Sequence, residues 1–140
     1  MKQIPVIFWT STGNTQMMAD AVAEAINAAG AEAVVKNISE ITADEAAGYD
    51  ALALGCPAMG AEVLEECEFE PFFTELEGKL AGKKVAIFGS YGWGGSYMQD
   101  WEARVKDAGA TLVADGVLAL GAPDDEAMAK LTEAGKLLAE

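Results

Sequence analysis

The feature that most constrains this chain is an alternation of short apolar runs with helical patterns along its length. Apolar runs that read as strands cover residues 4–9, 33–36, 49–54, 84–88 and 111–118. Between them, apolar residues recur at the three- and four-residue spacing of a helix face. Strands that alternate with helices build a parallel sheet with right-handed crossovers and helices on both faces. We therefore predict an α/β fold, with residues 1–140 forming one domain around a doubly wound five-stranded parallel sheet.

The helical patterns place four apolar stripes between or after these strands. They comprise Met18, Val22, Ile26 and Ala29, closed by Gly30; Phe69, Phe72 or Phe73, Leu76 and Leu80; Met98, Trp101, Val105 and Ala108, closed by Gly109; and Ala127, Leu131, Ala134 and Leu138. The first helix is expected to start near Gln16 and the last at Pro123. Residues 38–48 are expected to form a loop with one helical turn, and Asp115-Gly116 to mark a bulge or turn.

The charge balance limits the classes of partner. Nine basic residues against 23 acidic ones give a net charge of −14 and a sequence pI near 4.2. Nucleic acid and acidic membrane surfaces are excluded as expected partners, because both need Lys and Arg for neutralisation. No apolar run approaches the ~20 residues that span a bilayer, and no signal peptide is expected. A basic protein partner fits the charge, although acidity that merely aids solubility is an alternative.

The residue inventory excludes most forms of side-chain catalysis. There is no histidine, so neither a Ser-His-Asp nor a Cys-His nucleophile can form. Cys56 and Cys67 match no CxxC or zinc pattern and no Cys-x5-Arg loop, and their roles stay open. Two unpatterned cysteines suggest a reducing compartment, so we expect a cytoplasmic protein. Redox or group-transfer chemistry would have to come from a cofactor.

A polar loop, Thr10-Ser11-Thr12-Gly13-Asn14-Thr15, joins the first predicted strand to the first helix. The first amides of a helix have no intrahelical acceptor and lie at the positive end of its dipole. Hydroxyl groups and the Asn14 amide add donors, and Gly13 allows a close backbone approach. Neither a Walker sequence nor a G-x-G-x-x-G fingerprint is present. A phosphate site built from neutral donors is one interpretation, and an ordinary helix cap is the other.

Two further loops follow strands whose carboxyl ends are expected at the same edge of the sheet. In open α/β sheets, ligands lie beyond the carboxyl ends where the strand order reverses. Residues 55–62 follow the third predicted strand, and the Gly-rich, aromatic residues 89–97 follow the fourth. Met59 and Trp93 suit the two faces of a flat ring, although each is also typical of a hydrophobic minicore. With the polar loop, they indicate a site for a flat heteroaromatic molecule that bears a phosphate.

These motifs resemble the short-chain, clostridial type of flavodoxin over essentially all 140 residues. The matching stretches are T-S-T-G-N-T at 10–15, G-C-P-A-M-G-A-E-V-L-E-E at 55–66, E-F-E-P-F-F at 68–73 and G-S-Y-G-W-G at 89–94. The resemblance implies strand order 2-1-3-4-5, with FMN at the switch between strands one and three. It also implies a monomeric, low-potential electron carrier, not an enzyme, whose non-covalently bound FMN shuttles between semiquinone and hydroquinone. Its partners would be redox proteins with basic docking surfaces.

The same resemblance implies roles for individual residues. The 5′-phosphate would be held by Thr10, Ser11, Thr12, Gly13, Asn14 and Thr15. The isoalloxazine would lie between Met59 and Trp93, with its protonated N5 donating to a carbonyl of the Gly60–Ala61 peptide and its N3 edge hydrogen-bonded to Glu62. The ribityl chain and pyrimidine edge would lie near Ser90 and Gly92, and these loops would be completed by Pro57, Ala58, Tyr91 and Gly94. Pro57 and Ala61 depart from the family pattern, in which a hydroxyl residue and an Asp or Ser are usual.

Acidic residues surround the expected ring site. Seven of them, and no Lys or Arg, lie within 62–77: Glu62, Glu65, Glu66, Glu68, Glu70, Glu75 and Glu77. Negative charge next to a reduced, anionic flavin is unfavourable, so these residues are expected to make the bound flavin a strong reductant.

Two other classes of protein share this type of sheet. A flavodoxin-like NAD(P)H:quinone reductase would be an enzyme, but it needs room for a second substrate over the flavin. The short chain and Trp93 over one ring face argue against it. A phosphate-binding signalling module is the third alternative. This chain lacks the aspartate cluster that receiver domains carry at the ends of the first and third strands, since Trp9 and Leu54 occupy those positions.

Overall fold

A computed structural model of the chain describes residues 2–9, 13–57, 68–91, 96–120 and 123–140. Its strands are β1 (Gln3–Phe8), β2 (Glu32–Asn37), β3 (Ala51–Gly55), β4 (Lys84–Tyr91), β5 (Thr111–Leu112) and β6 (Val117–Leu120). Its helices are α1 (Asn14–Ala28), α2 (Ala43–Ala46), α3 (Phe69–Glu77), α4 (Ser96–Asp107) and α5 (Asp125–Ala139), with a short 3-10 turn at Ile38–Glu40. Among the helices so described, none is both long and apolar enough to cross a bilayer.

The strands form one parallel sheet in the order β2-β1-β3-β4-β5, and β6 also pairs with β4. This arrangement confirms the predicted 2-1-3-4-5 order. Phe8 lies opposite Gly55, and Gly55 lies opposite Phe88, so β1 and β3 end at the same level against β4. The strand β2 lies on one side of β1, and the later strands lie on the other side, beginning with β3. The order of the strands therefore reverses between β1 and β3, and a ligand crevice is expected at this point.

Two apolar layers cover the sheet, one on each face. On the first, α1 and α5 pack on Ile4, Val6 and Phe8 of β1. On the second, α3 and α4 pack on Ile7 and on the leucines of β3. Alternate residues of β1 therefore face opposite layers, as in a central strand buried on both sides. The doubly wound α/β fold is confirmed.

The last predicted strand, 111–118, is wrong as a single element. It is two strands, since Val85 pairs with Leu112 and Phe88 pairs with Val117. Five positions separate Leu112 from Val117 where three separate Val85 from Phe88, so two extra residues leave the ladder. The Asp115-Gly116 turn signal lies in this interruption, where the Gly116 amide donates to Glu102 Oε2 at 2.7 Å.

Other strand boundaries shift by a few residues. The fourth strand was predicted to end at Phe88 but continues through Tyr91, so Ser90 and Tyr91 lie in β4 rather than in a loop. The first strand ends at Phe8, and Trp9 follows it. The third starts at Ala51 rather than at residue 49, and β2 is one residue longer at each end than predicted.

Helix boundaries also differ from the apolar stripes. The first helix starts at Asn14 instead of Gln16. Leu80 is fully buried but lies beyond the end of α3 at Glu77. The last helix starts at Asp125 rather than at Pro123, because the Asp124 side chain caps it by accepting from the Ala127 amide at 2.8 Å. The segment 38–48 contains two short helical turns where one was expected.

Candidate functional site

Helix α1 begins with backbone donors that have no intrahelical acceptor. Its N-cap is Gly13, which has a left-handed φ of 91° and no side chain with which to cap the helix. The Met17 amide donates to the Gly13 carbonyl at 3.0 Å, which closes the first helical turn. The amides of residues 14–16 therefore precede the intrahelical ladder, at the positive end of the dipole. This helix end is chemically suited to an anion.

Two buried hydroxyl groups lie beside this helix end. Thr15, in the first turn of α1, is 1% exposed, and Ser90, near the end of β4, is 7% exposed. Their oxygens are 3.4 Å apart, a long contact where hydroxyl pairs usually lie near 2.7–2.8 Å. Buried polar groups are normally well hydrogen-bonded, so both hydroxyls retain capacity for a further partner. The contact also brings the start of α1 and the end of β4 together.

The end of β3 is fixed at the same edge by its neighbours. The Cys56 amide donates to the Phe88 carbonyl at 3.0 Å, and the Cys56 carbonyl accepts from the Tyr97 hydroxyl at 2.8 Å. Burial raises the pKa of Tyr97, so its hydroxyl remains a donor over the accessible pH range. Pro57 follows and is buried. The start of α4 is thus tied to the end of β3.

Gly89 makes this arrangement possible. A Cβ built on Gly89 would lie 2.1 Å from the Cys56 carbonyl oxygen and 2.1 Å from the Tyr97 hydroxyl oxygen. No side chain fits there without displacing one of these two groups. Gly89, predicted to begin the loop after the fourth strand, therefore allows β3, β4 and α4 to pack closely together.

Trp9 connects the first and third strands at their carboxyl ends. Its backbone amide donates to the Gly55 carbonyl at 3.0 Å, and its indole Nε1–H donates to Glu68 Oε1 at 3.2 Å. Sequence reasoning placed Trp9 at the end of a strand and assigned it no contact. A tryptophan that directly precedes a polar loop was the available signal, but its partner is 59 positions away.

Arg104 is a second residue that the sequence did not single out. From α4 it forms two bonds to the Glu70 carboxylate, at 2.6 and 2.9 Å, and bonds to Glu77 at 3.1 Å. Its guanidinium also lies 4.7 Å from the centroid of the Phe73 ring. The hydrogen bonds that Arg104 donates to Glu70 and Glu77 raise the pKa of its guanidinium. Two of the seven acids counted in 62–77 are therefore ion-paired, which the local absence of Lys and Arg concealed.

The Arg104–Glu70 pair predicts a pH dependence of stability. The Arg104 hydrogen bond holds the pKa of Glu70 below its ordinary value of 4.5, against an opposing effect of burial. The unfolded chain therefore takes up this proton first as the pH falls, so the stabilisation is complete above about pH 5 and declines below it. We expect Glu70→Gln to destabilise the protein at pH 7 by less than about 1 kcal/mol, because both groups are partly exposed.

Urea unfolding of wild type and Glu70→Gln between pH 3 and pH 7 measures this effect. The difference in unfolding free energy between wild type and Glu70→Gln should shrink as the pH falls below about 4.5. The control is Glu75→Gln, because Glu75 is an exposed residue on the same helix. A difference that grows towards low pH would contradict the direction of the Glu70 shift.

The structure brings some predicted site residues together and leaves others undescribed. Gly13, Asn14, Thr15, Pro57, Ser90 and Tyr91 all lie at the carboxyl edge of the sheet. The remaining predicted positions lie outside the described residues: Thr10, Ser11, Thr12, Ala58, Met59, Gly60, Ala61, Glu62, Gly92, Trp93 and Gly94. Within the described ranges, no group of three or more acidic or Cys residues is placed to hold a metal ion.

Comparison with known proteins identifies the family. The Flavodoxin family model matches residues 6–135. The chain is 45% identical to a flavodoxin from Clostridium beijerinckii, over 96% of this chain and 97% of the relative. It is also 45% identical to the Megasphaera elsdenii flavodoxin, over 82% and 85% of the two chains. The solution structure of that two-electron reduced flavodoxin superposes with a TM-score of 0.89 at 42% identity, covering 97% of this chain and 98% of that chain. The chain, with its polar helix end and this strand order, therefore belongs to the flavodoxin family.

Proposed function

We propose that residues 1–140 form one domain that carries electrons between redox proteins on a single, non-covalently bound FMN. Family membership and the predicted strand order support this function. The observation that carries it is the contact between the buried hydroxyls of Thr15 and Ser90. It joins the start of α1 to the end of β4, each of which carries predicted FMN-binding residues, at the switch in strand order.

The donor set at this edge fits a phosphate-bearing flavin. The amides of residues 14–16 and the Thr15 hydroxyl are neutral donors, and the helix dipole adds partial positive charge. The predicted donors Thr10, Ser11 and Thr12 extend this set. Without a cationic side chain in the loop, the phosphate is held by oriented dipoles, which suits a cofactor that stays bound.

The protein's contribution is to bind and shield the cofactor. Bound FMN supplies the redox chemistry, since its ring accepts and releases electrons one at a time. Met59 and Trp93 are proposed to cover the ring faces, and Glu62 to bond its N3 edge. The chain has no histidine, and the shifted groups Tyr97 and Arg104 are engaged in contacts between structural elements. We therefore assign an electron carrier rather than an enzyme.

The distribution of charge supports docking of basic partners at the carboxyl edge. Lys2, Lys83 and Lys84 lie at the opposite, amino edge of the sheet, where they donate to backbone carbonyls at 2.8–3.3 Å. Of the acids in 62–77 that the structure describes, Glu68 and Glu70 lie at the start of α3, the end of the helix nearer the carboxyl edge. A basic redox protein would thus be attracted towards the proposed flavin side. A monomer in the cytoplasm is the form we propose.

Electron transfer from the FMN-loaded, reduced protein to a basic c-type cytochrome tests this function. We expect rapid transfer whose rate falls as the salt concentration rises from 50 to 500 mM, because charge attraction between the two surfaces is screened. NADH alone should not be consumed. Steady NADH consumption with a quinone and no added reductase would instead favour the quinone reductase alternative.

A further inference from the structure

Three large apolar side chains are exposed among the residues that the structure describes, and two of them lie on neighbouring helices. Met17 is 45% exposed and Met128 is 39% exposed, and each is the fourth residue of a 15-residue helix, α1 and α5 respectively. The third, Val35, lies on the edge strand β2. A single exposed apolar residue needs no explanation, whereas two at one place indicate a contact surface.

The packing of α5 on α1 brings the two methionines to one groove. A Cβ built on Gly135 of α5 would lie 2.7 Å from the Ala25 Cβ of α1, so the helices are in close contact there. Met128 precedes Gly135 by seven residues, about two helical turns, and therefore lies on the side of α5 that faces α1. Met17 precedes Ala25 by eight residues, with the buried Ala21 halfway, so these three form one row along α1 next to α5.

Both methionines lie at the carboxyl edge of the sheet, beside the proposed flavin site. Helix α1 follows β1 and α5 follows β6, so both helices start at that edge and run away from it in the same direction. Met17 belongs to the helical turn whose first amides are proposed to hold the phosphate. We call this surface, formed by Met17 and Met128, the Met17–Met128 patch.

The charges next to this patch have one sign. Residues three, four or seven positions apart lie on the same helix face, and Lys130, two positions from Met128, lies on the other side of α5, where it pairs with Glu126 at 3.3 Å. Helix α1 contains no Lys or Arg. The charged neighbours of the two methionines at these spacings are exposed acids: Asp20, Glu24, Asp124 and Asp125. An apolar centre between acids complements a basic surface that has its own apolar centre.

We propose that the Met17–Met128 patch is the apolar contact on which a basic redox protein docks, a proposal that rests on the proposed FMN function. Charge attraction brings the partner to the carboxyl edge, and burial of the two methionines slows its dissociation. A small contact of this kind suits a transient electron-transfer complex, and flexible thioethers adapt to partners of different shape. A second copy of this chain would bring the same acids and a net charge of −14, so it would be repelled.

Substitution by glutamine separates the apolar contact from the charge. The Met17→Gln, Met128→Gln double variant keeps side-chain length, net charge and helix propensity. Its dissociation constant with a basic c-type cytochrome should rise about fivefold to twentyfold, because part of two apolar side chains is no longer buried in the complex. The salt dependence of electron transfer should stay unchanged in this variant, whereas Asp20→Asn with Asp125→Asn should flatten it. Val35→Gln is the matched control and should bind the cytochrome as the wild type does.

Methionine methyl signals report the contact in the unmodified chain. In FMN-loaded protein that carries ¹³C in its methionine methyl groups, a redox-inactive, zinc-substituted c-type cytochrome should shift the NMR signals of Met17 and Met128. The signals of Met18 and Met98 should stay in place, because both side chains are buried in the core. These two residues therefore serve as internal controls for a general change in structure.

The same experiments contain the results that would overturn the proposal. Signals of Met17 and Met128 that do not move, or a double glutamine variant that binds the cytochrome as tightly as the wild type, would remove the patch while leaving electron transfer intact. Shifts of these two signals when the protein alone is concentrated would assign the patch to a second copy instead. A protein that binds no FMN, or that transfers no electrons to the cytochrome when reduced, would refute the proposed function itself.

Discussion

Replacing Gly89 with alanine is expected to lower the free energy of unfolding by about 3 kcal/mol, the combined effect of an overpacked contact and a lost hydrogen bond. The new Cβ would lie 2.1 Å from both the Cys56 carbonyl oxygen and the Tyr97 hydroxyl oxygen. One of these groups must move, and the 2.8 Å bond between them would break. Because Pro57 follows Cys56 and Ser90 follows Gly89, the change should also weaken FMN binding. Urea unfolding and FMN titration measure the two effects.

Gly78→Ala is the matched control for this substitution. Gly78 has an ordinary φ of −71°, and a Cβ there would have no neighbour within 4 Å. The same added methyl group should therefore change stability by no more than about 1 kcal/mol, with a small gain possible from reduced freedom of the unfolded chain. A Gly89→Ala protein as stable as Gly78→Ala would show that β3, β4 and α4 are not packed as described.

Thr15→Val is expected to weaken FMN binding about thirtyfold and to leave riboflavin binding within about twofold, since a hydrogen bond to a charged group contributes about 1.5–3 kcal/mol. Thr15 is buried in the first turn of α1, where its hydroxyl is proposed to donate to the phosphate. Valine has nearly the same shape but no donor. Riboflavin has the same ring without the phosphate, so the ratio of the two affinities isolates that end of the site.

Thr15→Ser keeps the hydroxyl and should retain most of the FMN affinity. If Thr15→Val weakened FMN and riboflavin equally, the hydroxyl would act through Ser90 or through packing rather than through the phosphate. Unfolding of the apoproteins in urea would separate that outcome from a general loss of stability.

The parallel sheet and both apolar layers could be predicted because they depend on local patterns, whereas the strand order followed from the resemblance to flavodoxins. The stripe Met18, Val22 and Ile26 faces inward in α1, and Leu131 and Leu138 face inward in α5. Boundaries were less predictable because they depend on partners. The chain between Leu112 and Val117 leaves the ladder because their partners on β4, Val85 and Phe88, are only three positions apart. Local propensity carries no information about that pairing.

The loops of the site could be predicted from their composition, but the contacts that join them could not. Thr15 meets Ser90 across 75 positions, and Arg104 meets Glu70 across 34. Such pairs depend on how elements pack, and no periodicity or motif carries that information. Two of the seven acids in 62–77 therefore contribute less negative charge than the count suggests, since Arg104 pairs with Glu70 and Glu77 from another helix.

The central claim is that neutral donors at the carboxyl edge of this sheet hold one FMN. The most direct measurement is to incubate the apoprotein with excess FMN, pass it over a sizing column and record the visible spectrum of the protein peak. We expect a yellow protein with one flavin per chain. A protein peak with no flavin absorbance would contradict the claim.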